Sequence, residues 1–294
     1  MFEMFHHDFV LSALEVSLVM GLLLSYLGVH VVGRGIVFVD LALGQISMLG
    51  VAFAGFIEKD STLVSVIFTM AGAFFLSFIN IRDKRLKQEA IIGIIYAVAS
   101  AATVLFIAKT PHGESDISEV LFGSLFTVTG ESLRNMAIVF GAIGLVQAVF
   151  HKKFFALTES FENGQSEKAL LFNPWNFLFY LSIGLSIVLA VRAGGVIPVF
   201  SYLIIPSVSA IMLGRSNWSV VLIALLISVA GGGAGLMFAV NFDFPAGSSV
   251  VAVLGMIFAA VALVRIIKGP PGGRRGHGTA APEPVSESRP SSSR

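Results

Sequence analysis

Two side chains in the apolar run RGIVFVDLALGQISMLGVAFAGF, residues 34–56, do not suit hydrocarbon: Asp40 and Gln45. An ionised carboxylate inside a bilayer costs several kcal/mol even on lenient insertion scales, so Asp40 is expected to face a partner, a cavity or a transported solute. The preceding run adds Glu15, Tyr26 and His30, which fall within about 60° of one another on an ideal helix and form a polar stripe on an apolar rod. Carboxylate oxygen and imidazole nitrogen can hold a borderline cation or pass protons. Each also has a plainer use: Asp40 can pair with Arg34, His30 can reach a headgroup, and Glu15 can bond a neighbouring helix.

The elements that must position these groups follow from composition. The chain is 55% hydrophobic and 13% charged, with 26 Phe, which makes it an integral membrane protein. A spanning helix needs about 20 apolar residues. Candidate segments read 9–32, 36–57, 62–81, 90–108, 133–150, 175–192, 194–213, 218–240 and 248–267, so the fold class is all-α and polytopic with eight or nine crossings. The segments are continuously apolar rather than alternating, which excludes an outer-membrane barrel. The short apolar stretch 120–128 reads as re-entrant or as the start of a longer helix.

No Lys or Arg precedes the first apolar run, so no cleavable signal is expected there. The absence of Cys excludes disulfides and thiolate metal sites. A net charge of +1, dispersed among loops, implies no nucleic-acid partner. Arg82, Lys84, Arg85, Lys87, Lys152, Lys153, Arg215, Arg265, Lys268, Arg274 and Arg275 fall on one side if there are nine crossings. Glu58, Asp60, Glu114, Asp116, Glu119 and Asp243 fall on the other. Basic loops are retained in the cytoplasm, so the C-terminus is placed inside, with Arg192 as an exception on the outer side. The membrane domain spans 1–268. The Pro-, Gly- and Ser-rich stretch 269–294, with its lone His277, reads as a disordered cytoplasmic tail. No GxxxxGK[ST] loop occurs, so any nucleotide must be bound by another chain.

Five blocks in order carry a resemblance: GVHVVGRGIVFVDLALGQISMLG, QEAIIGIIYAVASAATVLF from 88, ISEVLFGSLFTVT from 117, GGVIPVFSYLIIPSVSAIML from 194 and DFPAGSSVV from 243. Together they resemble the membrane subunit of ATP-binding-cassette importers for divalent metals, the zinc, manganese and iron permeases. The resemblance implies a homodimeric permease in a prokaryotic cytoplasmic membrane. It further implies an ATP-binding partner subunit and an extracytoplasmic metal-binding protein, with zinc or manganese as the transported ion. The chain departs from the family where it matters for ligation. Typical members carry Asp-Ala-Leu-Ser-His, whose Asp and His share a helix face, whereas here Asp40 is followed at i+4 by Gly44. Gln45 lies about 140° from Asp40 on an ideal helix, so the two meet one ion only if the helix is irregular.

The expected metal ligands are therefore Asp40, His30, Gln45 and Glu15, with His30 and Asp40 forming a nitrogen and oxygen pair doubled by two-fold symmetry. His6, His7 and Asp8, and separately His112, Glu114, Asp116 and Glu119, lie on the outer side. They either meet arriving cations or are solvated. In LTESFENGQSEKALL, 157–171, the resemblance implies a loop with a short helix seated in a groove of the ATPase, with Phe161 as apolar anchor beside Glu162 and Gly164. A solvated loop is the alternative there. Pro198 and Pro206 predict a broken or kinked helix, in which Ser201, Ser207 and Ser209 satisfy freed carbonyls.

The chain is accordingly expected to be a transport subunit and not an enzyme. Its rivals are an ion-coupled carrier using Glu15 and Asp40 as relays and an intramembrane metalloenzyme, for which no HExxH pair exists.

Overall fold

The structure is a computed structural model that describes residues 8–79, 88–109, 125–162 and 173–268. His6, His7, the basic loop at 82–87, the acidic loop at 112–119, Gly164 and the tail from 269 lie outside the described residues. The described chain forms α1 (Asp8–Gly33), α2 (Val39–Phe56), α3 (Ser61–Phe78), α4 (Gln88–Ile107), α5 (Gly130–Val149), α6 (His151–Glu162), α7 (Pro174–Gly194), α8 (Val196–Leu213), α9 (Asn217–Phe242) and α10 (Ala246–Lys268). Every helix except α6 is long and apolar enough to cross a membrane, which gives nine spans among the described residues. In the 120–128 stretch a single 3-10 turn, Leu125–Thr127, is described.

Local chemistry sets the helix ends. Asp60 accepts from the Leu63 amide at 2.7 Å to start α3, and Asn173 accepts from Trp175 and Asn176 to start α7, with Pro174 at the first helical position. Ser216 caps α9 through the Ser219 amide. At the end of α1 the Gly35 amide donates to Val32 O and the Ile36 amide to Val31 O. This double closure requires a left-handed residue, and Gly35 supplies it at φ 67°. The GRG stretch is thus a specified helix stop.

α1 is the axis of the packing. It runs against α8 and α9, touches α5, α6 and α7, and is mostly buried, while α2, α3 and α4 pack together and meet the rest through α7. Helices in lipid gain little from burying apolar area, so close backbone approach and interhelical hydrogen bonds hold them together. Gly28 sits so near the Leu203 carbonyl that a Cβ would collide with backbone. Two hydroxyl bonds add to the same seam: Ser17 with Tyr202, and Ser207 donating to Ser25 O at 2.9 Å.

Two sequence expectations are narrowed by the described residues. α8 is continuous from Val196 through Pro198 and Pro206 rather than broken. Pro198 is its third residue, where no intrahelical amide bond is lost. Ser201 and Ser209 donate to the carbonyl four residues back, as ordinary helical serines do, and the single hydroxyl hydrogen of Ser207 is shared between Leu203 O at 2.7 Å and Ser25 O at 2.9 Å. The stretch from 157 also continues an amphipathic helix that begins at His151. Phe154 and Thr158 are buried one turn apart on its inner face, and Lys152 and Lys153 are exposed.

Candidate metal pathway and the end of α1

Asp40 stands in the first turn of α2 and is 3% exposed, and no side chain among the described residues hydrogen-bonds its carboxylate; the groups that face it are the backbone amides of Asp40 and Leu41 at the helix start. Arg34, its expected competitor for an ion pair, turns elsewhere. Its Nε donates to Thr158 Oγ1 at 3.2 Å, its Nη1 donates to Asn176 Oδ1 at 3.2 Å, and its guanidinium lies 3.5 Å over the Phe179 ring. The pairing of Asp40 with Arg34 is thereby replaced by a cation stacked on an aromatic face and hydrogen-bonded to neutral oxygens. Asp40 is left as a buried carboxylate with no cationic partner, an arrangement that costs free energy unless the group is protonated or a cation occupies it.

Gln45 is also buried, but α2 is one uninterrupted helix, so its side chain leaves the axis about 140° from that of Asp40. On the Asp40 side the next residues are Gly44 and Ser47. A Cβ on Gly44 would lie 3.7 Å from Val196, so this side of α2 looks toward the start of α8.

His30 is fully buried in the last turn of α1. Its Nδ1 is 3.0 Å from Thr158 Oγ1, and its ring packs against Tyr26, Phe154, Phe155 and Phe179. Its Nε2 has no partner among the described residues. Glu15 is exposed, and fifteen residues of helical rise put it roughly 22 Å along α1 from His30, too far to share an ion. The Glu15, Tyr26 and His30 stripe therefore does not act as one group. Among the described residues no three of His, Cys, Asp and Glu converge on a metal position.

Phe161 and Glu162 come to this same end of α1. The Phe161 ring is 5.7 Å from the Arg34 guanidinium, and Glu162 Oε1 would be 3.0 Å from a Cβ on Gly33. The residues that sequence reasoning missed are the acceptors Thr158 and Asn176 and the Phe179 platform. On the opposite side, Arg192 is accommodated by hydroxyls at the start of α3, with Nη1 donating to Thr62 at 2.6 Å and Nη2 to Ser65 at 3.2 Å. A cavity of about 420 Å³ between α1, α5 and α9, bordered by Leu22, Tyr26, Phe140, Gly144, His151 and Trp218, is almost wholly apolar and unsuited to a hydrated cation.

The sequence model of the ABC 3 transport family matches residues 6–265. The manganese transport system membrane protein MntC of Listeria innocua is 24% identical over 253 residues, covering 86% of this chain and 89% of that protein. The protein of the same name from Halalkalibacterium halodurans is 22% identical over 258 residues, covering 87% of each. Among solved structures, PsaBC from Streptococcus pneumoniae in complex with Fab has a TM-score of 0.73 at 21% identity, covering 87% of this chain and 91% of the matched one.

Proposed function

The chain belongs to the ABC 3 transport family as a membrane-embedded transport subunit whose ATP hydrolysis resides in a separate subunit, and on that premise we propose that it passes manganese or zinc inward. The observation that carries the reading is Asp40. A transmembrane helix buries a carboxylate with no side-chain partner and no neutralising cation, in the block where the family resemblance puts the metal ligands. The manganese transport named for the MntC relatives agrees with an oxygen-rich site.

Asp40 is the primary ligand in this reading. His30 keeps an unpartnered Nε2 that can supply a nitrogen, and Gln45, about 140° round the uninterrupted α2 from Asp40, offers an oxygen to the ion at a separate point of its path. Glu15, remote from all three, meets the ion at another point of its path. A second copy of the chain, related by two-fold symmetry, doubles this incomplete set. α6 docks the ATP-binding subunit through Phe161 and Glu162, and an extracytoplasmic protein delivers the ion on the other side. The basic residues Lys152, Lys153, Arg215 and Arg265, which fall on one side of nine alternating spans, support a cytoplasmic C-terminus.

Reconstitution of the full chain with its ATP-binding subunit tests the reading. ATP-dependent uptake of manganese or zinc, lost in Asp40→Asn, is the expected result. Uptake that follows a proton gradient and ignores ATP would overturn it.

A further inference from the structure

One hydroxyl fastens the end of α1 to α6. Thr158 Oγ1 has a single hydrogen, and its 3.0 Å approach to Phe154 O spends it. The oxygen must therefore accept from its other two partners, Arg34 Nε at 3.2 Å and His30 Nδ1 at 3.0 Å. This count puts the imidazole hydrogen on Nδ1 and saturates Thr158. Gly33 makes the approach possible, since a Cβ there would lie 2.6 Å from Thr158 Cγ2.

The fastening extends past α6. Arg34 Nη1 donates to Asn176 on α7, and Asn176 Nδ2 donates to Ser77 O in the last turn of α3. In the other direction the chain leaves Arg34 through Gly35, at φ 67° and with no atom within 4 Å of a Cβ position, and reaches Asp40 five residues later. Arg34 thus stands between a surface helix and a left-handed pivot that leads directly to the buried carboxylate.

Stability alone does not account for this placement. Arg34 is 7% exposed, its acceptors are neutral, and its Nη2 has no partner among the described residues, so a long apolar side chain would fill the site at less desolvation cost. A planar, always-charged group that bonds one helix through Thr158 and both bonds and stacks on another through Asn176 and Phe179 is suited to holding their relative positions. Resting on the proposed transport reading, we infer that Thr158 and Arg34 are positioning residues that carry movement of α6 to the Gly35 pivot and so set the direction of the Asp40 carboxylate. α6 is the input, the hydroxyl is the joint, and α2 is the output.

The test uses the full chain with its ATP-binding subunit in lipid vesicles and compares Thr158→Val, which keeps the shape but accepts no hydrogen bond, with Thr158→Ser, which restores the oxygen. Three quantities are read: ATP hydrolysed, manganese and zinc taken up, and amide hydrogen exchange over residues 35–41 with and without trapped nucleotide. Thr158→Val is expected to hydrolyse ATP within about twofold of the wild type while uptake falls about tenfold or more, and to lose the exchange response; Thr158→Ser recovers both. A wild-type ratio of uptake to hydrolysis in Thr158→Val overturns the inference. So does a proportionate fall of both with the exchange response intact, because that marks a purely structural staple. Should Thr158→Val fail to assemble, Arg34→Lys is read in the same way; it keeps the charge and loses both the Nε donor and the stacked plane, and a wild-type ratio there is equally fatal. Wild-type vesicles that move neither metal would refute the transport reading, while the exchange response of 35–41 would still decide the coupling.

Discussion

Arg192 of α7 donates from Nη1 to the Thr62 hydroxyl at 2.6 Å, and from Nη2 to Ser65 at 3.2 Å, so a cation at the end of one span is held by the hydroxyls that open another. The contact explains how an arginine is retained opposite the basic loops: its donors are met by hydroxyls within the protein, with the Asp60 carboxylate at the start of α3 nearby. It also fixes α7 to α3, on which the α2, α3 and α4 group depends for its connection to the rest. Thr62→Val and Arg192→Met should each lower unfolding stability, and their double-mutant cycle should show a coupling of about 1.5–3 kcal/mol, as for a hydrogen bond to a charged group. Thermal unfolding in detergent measures it; strictly additive effects would show that the contact contributes nothing.

The seam between α1 and α8 gives a sharper contrast. A Cβ at Gly28 would run into the Leu203 carbonyl, which belongs to backbone and cannot rotate away, whereas a Cβ at Gly93 meets nothing within 4 Å. Gly28→Ala should therefore force the helices apart, at a cost of about 1–3 kcal/mol or more, and reduce the yield of folded protein. Gly93→Ala in α4 should leave yield and stability unchanged or slightly improved, since alanine is the better helix former. Equal yields for the two variants would contradict the packing described for α1.

The spans were legible because a run of about 20 apolar residues has few other uses, and Asp40 was legible because a charge inside such a run is costly. The partners of Arg34 were not. Thr158 stands 124 positions away, and a hydroxyl carries no signal in sequence that distinguishes a buried acceptor from a solvated one. Pro198 misled for a related reason: a proline predicts a break only where an amide bond would otherwise exist, and the third residue of a helix has none to lose, whereas Pro206 does remove an interior amide bond and α8 runs on through it. The length of α6 escaped because HKKFFALTESFE has too few apolar residues to read as a span, although its Phe154 and Thr158 spacing is helical.

Phe161 lies near the free end of α6, half-buried, with its ring 5.7 Å from Arg34. If α6 seats in the ATP-binding subunit through this ring, Phe161→Ala should leave the membrane fold intact while separating hydrolysis from uptake. The expected result is a several-fold fall in metal moved per ATP, with unchanged thermal stability of the isolated chain. Normal transport by Phe161→Ala, together with undiminished co-purification of the ATP-binding subunit, would remove α6 as the docking element.

Asp40 offers the most direct test of the metal reading because its surroundings separate the alternatives. Had the carboxylate served only to neutralise Arg34, Asp40→Asn would strand a charge, and the double change with Arg34→Gln would restore function. The structure gives Arg34 other partners in Thr158, Asn176 and Phe179, so no such rescue is expected. As a ligand, Asp40 loses a charged oxygen in Asp40→Asn, and uptake should fall by about a hundredfold, the scale on which loss of ligand support weakens metal sites. Because no side chain depends on the carboxylate, and the Asn oxygen can still face the backbone amides of Asp40 and Leu41, the same substitution removes a buried charge without orphaning another group, and thermal stability should hold or rise. Asp40→His supplies a nitrogen in place of the oxygen and should recover part of the uptake with preference moved from manganese toward zinc. Uptake of both metals by these three variants, measured in vesicles at equal protein content, reads out the set. Full activity of Asp40→Asn would show that the ion passes without touching this residue.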